Sequence, residues 1–169
     1  MDRSVKTLAD FTSPALVLSE LQSKTASDVI AELCLALQRE NRLVDSPGFY
    51  EAVMAREELG STCFPPGWAV PHARLKGLAQ LSFAVGRTSQ PLAWFGNGIR
   101  VHTVFLFAVP EADARTYLDL IAAVAKLNQN ASLLQRLQHA HASETVFEIL
   151  NEVALRNRQP NAPASCASH

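Results

Sequence analysis

The residue types best suited to chemistry lie between Met54 and Arg74, in the run MAREELGSTCFPPGWAVPHAR. It holds one histidine, His72, with Arg56, Ser61, Thr62, Cys63 and Arg74 close by in sequence. A neutral imidazole nitrogen is a nucleophile at pH 7 and can accept a phosphoryl group directly. Such a site needs an acceptor on the second ring nitrogen to select the tautomer. It also needs donors and positive charge around the phosphoryl oxygens, because the transfer depends on positioning and electrostatics. Arg56 at a helix end, the hydroxyls of Ser61 and Thr62, and Arg74 can supply that cradle. The plainer reading is a surface loop with a stray histidine, since none of these types is rare in loops.

Other chemistries have less support. Neither GxGxxG nor GxxxxGK followed by Ser or Thr occurs, and GxSxG and HExxH are absent. A Ser61–His72 hydrolase pair has no identifiable acid partner or oxyanion hole. His139 and His141 form an HxH pair without an accompanying acidic or thiol cluster, so an exposed helix end is preferred to a metal site. Cys34, Cys63 and Cys166 form neither a disulfide framework nor a CxxC site. Cys34 reads as a buried thiol, and Cys63 is a reactive thiol only if its pKa is depressed. No metal and no cofactor is expected.

The elements that position this stretch can be read from patterning. Thr25 to Asp28 predicts a capping box, followed by an apolar face of Ala26, Val29, Ile30, Leu33, Cys34 and Leu37. A second helix is expected from a Ser46 N-cap with Pro47 at its first position. Phe49, Tyr50, Val53 and Met54 would be buried and Gly60 would be a left-handed terminator. Ala15–Leu18 can form a short strand. Four strands are then expected at 67–71, 81–86, 91–95 and 101–109, the last being the strongest and 91–95 an edge because of its proline. Pro71 is expected to stop the first of these and turn His72 outward. His102 reads as a strand histidine satisfied locally. Three helices follow. Leu118, Ile121, Ala122 and Ala125 form the expected face of the first. Leu133, Leu134 and Leu137 serve the second, and Val146, Phe147, Leu150 and Val153 the third. This order predicts an α/β fold, one domain over 1–156 with a mixed sheet between helices on both faces, and a disordered tail over 157–169.

The 169 residues carry a net charge of -1, and 18% are charged. That excludes the basic excess of a nucleic-acid binder and argues against a membrane-surface segment. No apolar run reaches the roughly 18 residues of a spanning helix, and the N-terminus has no signal-like core, so a cytoplasmic protein is expected.

AREELGST, a spacer, and WAVPHARL together resemble the IIA components of fructose/mannitol type in the bacterial phosphoenolpyruvate-dependent phosphotransferase system, closest to the nitrogen-regulatory branch. The usual family pattern is RE, two residues, then GSTGIGNGIAIPHG and Lys or Arg. The resemblance continues through GRTSQPLAWF, VHTVFLFAVPEADARTYLDLIAAVAKL and LLQRLQHAHASETVFEIL, over roughly residues 10 to 152. It implies a single α/β domain of the mannitol/fructose IIA fold. It also implies a phosphocarrier that takes a phosphoryl group on His72 from an HPr-like protein, with Arg56 and Thr62 lining the site. A IIB domain or a regulated target protein is the further partner. The absence of a linker to IIB or IIC sequence fits the free-standing regulatory branch, with a stand-alone sugar-specific IIA subunit as an alternative.

Two departures stand out. The glycine-rich spacer is replaced by Cys63-Phe64-Pro65-Pro66-Gly67, and its two prolines lack N–H donors. A second histidine common in the family corresponds here to Tyr117, which can donate a hydrogen bond but cannot act as an imidazole. These departures motivate the other alternative, a IIA-like binding module without efficient phosphotransfer.

Overall fold

The strand around which the others assemble is β6, Arg100–Pro110. Val104 to Val109 are buried on both of its faces, which explains the unbroken apolar run VFLFAV. The computed structural model describes residues 5–156; the tail expected over 157–169 lies outside them.

On one side β6 pairs antiparallel with β5, Ser82–Ala93, placing Phe83 opposite Phe107 and Val85 opposite Phe105. The segments expected as two strands, 81–86 and 91–95, are one strand. Its ladder shifts register between Arg87 and Leu92 and then resumes, so Pro91 sits beside an irregularity rather than ending the strand. β1, Val17–Leu18, adds to β5 in parallel, preceded by a 3₁₀ turn over Pro14–Leu16.

On its other side β6 pairs in parallel with β3, Trp68–Ala69, and with β4, His72–Leu75. The antiparallel β2, Cys63–Phe64, pairs with β3. β3 and β4 keep one register: Trp68 faces Thr103, Ala69 faces Val104, His72 faces Phe107 and Leu75 faces Pro110. They are one path along β6 with Pro71 in its middle. Pro71 has no N–H to give, yet its carbonyl accepts from Phe107 N at 3.0 Å, so the chain stays docked. The first strand does stop short of Pro71, as expected, but His72 is not turned away from the sheet: it opens a new strand in the same register along β6 and is half-buried.

The sheet lies between two helical layers, as expected. α1, Ala26–Arg39, and α2, Ser46–Leu59, share an apolar core with Ala69, Val104 and Leu106. α3, Ala114–Gln129, α4, Ala131–His139, and α5, Ser143–Asn151, share the other with Trp68, Phe105 and Phe107. The Thr25 hydroxyl accepts from Asp28 N at 3.2 Å, which is the half of the capping box that forms; Asp28 is one methylene shorter than the Glu of a full box. The N-cap of α2 is Asp45, not Ser46: its carboxylate accepts from Gly48 N at 3.0 Å, and Ser46 and Pro47 fill the first turn. Gly60 ends α2 at positive φ, as a glycine terminator, but at φ 158° and ψ 131° rather than in the αL form expected. In α3 the buried face is Tyr117, Leu120, Ala123, Val124 and Leu127, while Leu118 is 58% exposed, so the predicted face is rotated by about one residue.

Candidate phosphoryl-acceptor site

α2 supplies the first part of the site. Phe49 and Val53 are buried at a spacing of four, and Glu57 continues the same stripe. A carboxylate thus occupies a core position, only 4% exposed. Burial of a carboxylate is costly unless it is hydrogen-bonded. Glu57 accepts from Thr62 N at 3.2 Å, from the Thr62 hydroxyl, and from Trp94 Nε1 at 3.3 Å. Arg56, one residue earlier, is half-buried, and its Nη1 donates to the Gly60 carbonyl at 2.9 Å. The same bond ties down a carbonyl freed at the end of α2 and fixes the guanidinium over the loop.

The β2–β3 hairpin follows from Thr62. Gly67 N donates to the Phe64 carbonyl at 3.1 Å, closing a turn over Pro65 and Pro66. Gly67 has φ 144°, and a Cβ there would lie 2.7 Å from the Arg100 carbonyl and 2.8 Å from the His102 ring. Only glycine lets the hairpin lie this close to β6. His102 is satisfied locally, as expected, by Thr103 Oγ1 at 2.9 Å from its Nδ1.

Past the hairpin, Val70 N donates to the Thr62 carbonyl at 3.2 Å. The Val70 carbonyl lies 3.0 Å from His72 Nδ1. A carbonyl can only accept, so Nδ1 carries the proton and Nε2 holds the lone pair. Burial lowers the His72 pKa below its ordinary value; the Val70 bond and Glu57 oppose this, and Arg56 and Arg74 add to it. The ring is therefore neutral and nucleophilic at pH 7.

α3 covers the imidazole. Tyr117, in its first turn, lies against His72 with ring centroids 4.9 Å apart and planes at 38°. Tyr117 also meets Phe107 edge-on at 5.7 Å, which anchors it to β6. Burial pushes the Tyr117 hydroxyl up to about 12, with Arg56 and Arg74 pulling the other way, so it is a neutral donor at pH 7.

Of the residues singled out from sequence, Arg56, Arg74 and Tyr117 converge on His72. Thr62 is tied to Glu57 and, through its carbonyl, to the backbone that holds the ring. Ser61 bonds elsewhere: its hydroxyl lies 3.2 Å from Cys63 Sγ and accepts from Asn97 Nδ2 at 3.0 Å. Its partners belong to the outer side of the loop and to the β5–β6 turn. Glu57 escapes sequence reading as a site residue. The signal available for Glu57 is its place in the Phe49–Val53 stripe. Cys34 is buried as expected, its thiol pushed up to about 12 by burial. His139 ends α4 with Nδ1 2.8 Å from the Gln135 carbonyl. Among the described residues no three His, Cys, Asp or Glu side chains group to hold a metal ion, and no helix is long and apolar enough to cross a membrane.

Residues 10–153 match the family model described as phosphoenolpyruvate-dependent sugar phosphotransferase system, EIIA 2. A nitrogen regulatory protein of Pseudomonas aeruginosa is 29% identical over 147 residues, covering 86% of this chain and 96% of that protein. The fructose-specific EIIABC component of Bacillus subtilis is 26% identical over 133 residues, covering 78% of this chain and 21% of that much longer protein. The fold matches the crystal structure of nitrogen regulatory protein IIA-Ntr from Neisseria meningitidis with a TM-score of 0.77 at 26% identity, over 85% of this chain and 98% of that one. With its mixed sheet between two helical layers and a family match spanning nearly all the described residues, the chain belongs to the EIIA type-2 family of the phosphotransferase system.

Proposed function

We propose that this protein is a histidine phosphocarrier that accepts a phosphoryl group from an HPr-like protein on Nε2 of His72. The observation that carries the reading is the Val70 carbonyl 3.0 Å from His72 Nδ1, which reserves the Nε2 lone pair for attack. The lone pair forms a new N–P bond as the donor's N–P bond breaks and its electron pair returns to the donor nitrogen. The Nδ1 proton stays on His72, where the Val70 carbonyl takes up the positive charge that develops on the ring. Arg56 and Arg74 supply positive charge for the phosphoryl oxygens, and the Tyr117 hydroxyl supplies a neutral donor. Thr62 acts through the loop it anchors, and Ser61 contributes to the loop's outer side.

The regulatory, nitrogen-type role is favoured because the match runs through 96% of the nitrogen-regulatory relative. Such a protein works in the cytoplasm, where its phosphorylation state sets the choice of target protein. A sugar-type role, with transfer onward to a IIB domain, is the second reading, motivated by the fructose-specific relative. Incubation with phosphoenolpyruvate, enzyme I and the cognate phosphocarrier tests the proposal. An acid-labile, base-stable phosphoprotein is expected from the wild type and none from His72→Ala. No label on the wild type, with a target that binds wild type and His72→Ala equally, would establish the binding-module alternative instead.

A further inference from the structure

We infer that Glu57 is a positioning residue for His72, acting through Thr62 and Val70. The chain of bonds is continuous. The buried Glu57 carboxylate takes both the amide and the hydroxyl of Thr62. The Thr62 carbonyl takes Val70 N at 3.2 Å. The Val70 carbonyl holds the Nδ1 proton of His72 at 3.0 Å.

Each link has a physical reason to be there. Thr62 begins the β2–β3 hairpin, whose ladder pairs Cys63 with Ala69 and Phe64 with Trp68. Without a fixed Thr62, the open end of this short hairpin would fray, and Val70 sits at that end. Glu57 prevents this by anchoring the hairpin to α2, while Trp94 Nε1, 3.3 Å from the second carboxylate oxygen, keeps the carboxylate itself from turning. A buried group with one rotamer and three donors is a firmer support than a loop residue bonded to water. Glu57 does not touch the reacting nitrogen; it sets where the Val70 carbonyl points, and so which tautomer the ring adopts.

Glutamine at this position has nearly the same size but no charge and one acceptor oxygen; with that oxygen on Thr62 N and Trp94 Nε1, its NH₂ meets Thr62 Oγ1, which reverses that bond and replaces charge-assisted bonds with weaker neutral ones. It also removes a negative charge near a ring that faces Arg56 on α2, Arg74 on β4 and the neutral Tyr117 on α3. The consequence for phosphoryl transfer rests on the proposed role of His72, but the tautomer does not, so the two can be tested separately.

The test is long-range ¹H–¹⁵N spectroscopy of the His72 ring in the full chain at neutral pH, without any phosphoryl donor. Wild type should show a single Nδ1–H tautomer. Glu57→Gln should show mixed tautomers and a His72 titration midpoint moved to lower pH. Thr62→Val, which keeps the charge but loses the hydroxyl bond, should mix the tautomers without that downward move. Phosphorylation of Glu57→Gln should be about tenfold slower. The double variant Glu57→Gln/Thr62→Val should be no slower than Glu57→Gln alone, since both break the same chain. An unchanged tautomer in Glu57→Gln with native spectra elsewhere overturns the inference, as do fully additive effects in the double variant. If Glu57→Gln does not fold, Thr62→Val decides: an unchanged tautomer there overturns it. Tautomer mixing in a protein that never takes label leaves the positioning role standing and removes the phosphocarrier role.

Discussion

Tyr117 lies against His72 with ring centroids 4.9 Å apart and planes at 38°. A tyrosine there packs like an imidazole but stays neutral, because burial holds its hydroxyl at about 12. It can donate one hydrogen bond to a phosphoryl oxygen and cannot add positive charge. Tyr117→Phe keeps the ring against His72 and Phe107 and removes only that donor. Transfer to His72 is expected to slow about tenfold, equivalent to one charge-assisted hydrogen bond, with thermal stability nearly unchanged. Unaltered single-turnover rates in this variant would show that the hydroxyl makes no such bond.

Arg56 is fixed by its bond to the Gly60 carbonyl and lies close enough to His72 to lower its pKa. Arg56→Gln removes a positive charge from both the ring and the incoming phosphoryl group. The His72 titration midpoint should rise, and the transfer rate should fall by about two orders of magnitude, the size of effect seen when a preorganised charge-stabilising donor is lost. NMR titration and quench-flow labelling measure the two effects on the same sample.

The pH dependence has a definite sign. His72 is held below its ordinary pKa, chiefly by burial. The folded protein therefore keeps a neutral imidazole at pH values where the unfolded chain has begun to protonate it. As pH falls below 6.5, the ordinary value for an imidazole, the unfolded state binds the proton first, and the His72 contribution to stability decreases until the folded-state pKa is reached. Above 6.5 it adds no slope. The midpoint of phosphoryl acceptance should lie below 6.5, because burial holds the imidazole under its ordinary value. A rate profile with its midpoint above 6.5 would contradict the burial seen at this ring.

Gly67 carries the hairpin past β6 at φ 144°, with the Arg100 carbonyl 2.7 Å from where a Cβ would sit. Gly67→Ala combines backbone strain with a clash against main chain. It should destabilise the protein by about 2–3 kcal/mol. Urea unfolding measures this, and a wild-type midpoint would mean that the hairpin can lift from β6 freely.

The sequence conveys some of these features far better than others. β6 is plain, because a strand buried on both faces must be apolar at every position. α1 is plain, because its cap and its stripe agree on where the helix begins and which side is buried. β4 is hidden: HARL has no strand pattern of its own, and Pro71 reads as a stop. Its strand geometry comes from β6, whose register runs through the proline unbroken. The face of α3 is misread because two adjacent apolar stripes both satisfy helical spacing. Docking of Tyr117 on Phe107 selects between them, and that is a tertiary choice. Within the site, His72, Arg56 and Arg74 are legible as residue types close in sequence. The tautomer-setting carbonyl of Val70 is main chain, which residue types do not reveal. Ser61 shows the converse, since a hydroxyl beside Thr62 in sequence bonds to Cys63 and Asn97 instead. Glu57 looks like an ordinary charged residue at a helix end until its spacing from Phe49 and Val53 is noticed.

On this reading the Val70 carbonyl makes Nε2 of His72 the phosphoryl acceptor. This assignment is tested most directly by ³¹P and ¹⁵N spectroscopy of the protein labelled from phosphoenolpyruvate through enzyme I and its phosphocarrier. A single phosphohistidine is expected, with phosphorus on Nε2 and the proton retained on Nδ1, lost in His72→Ala. Phosphorus on Nδ1, or on any residue other than His72, would contradict it.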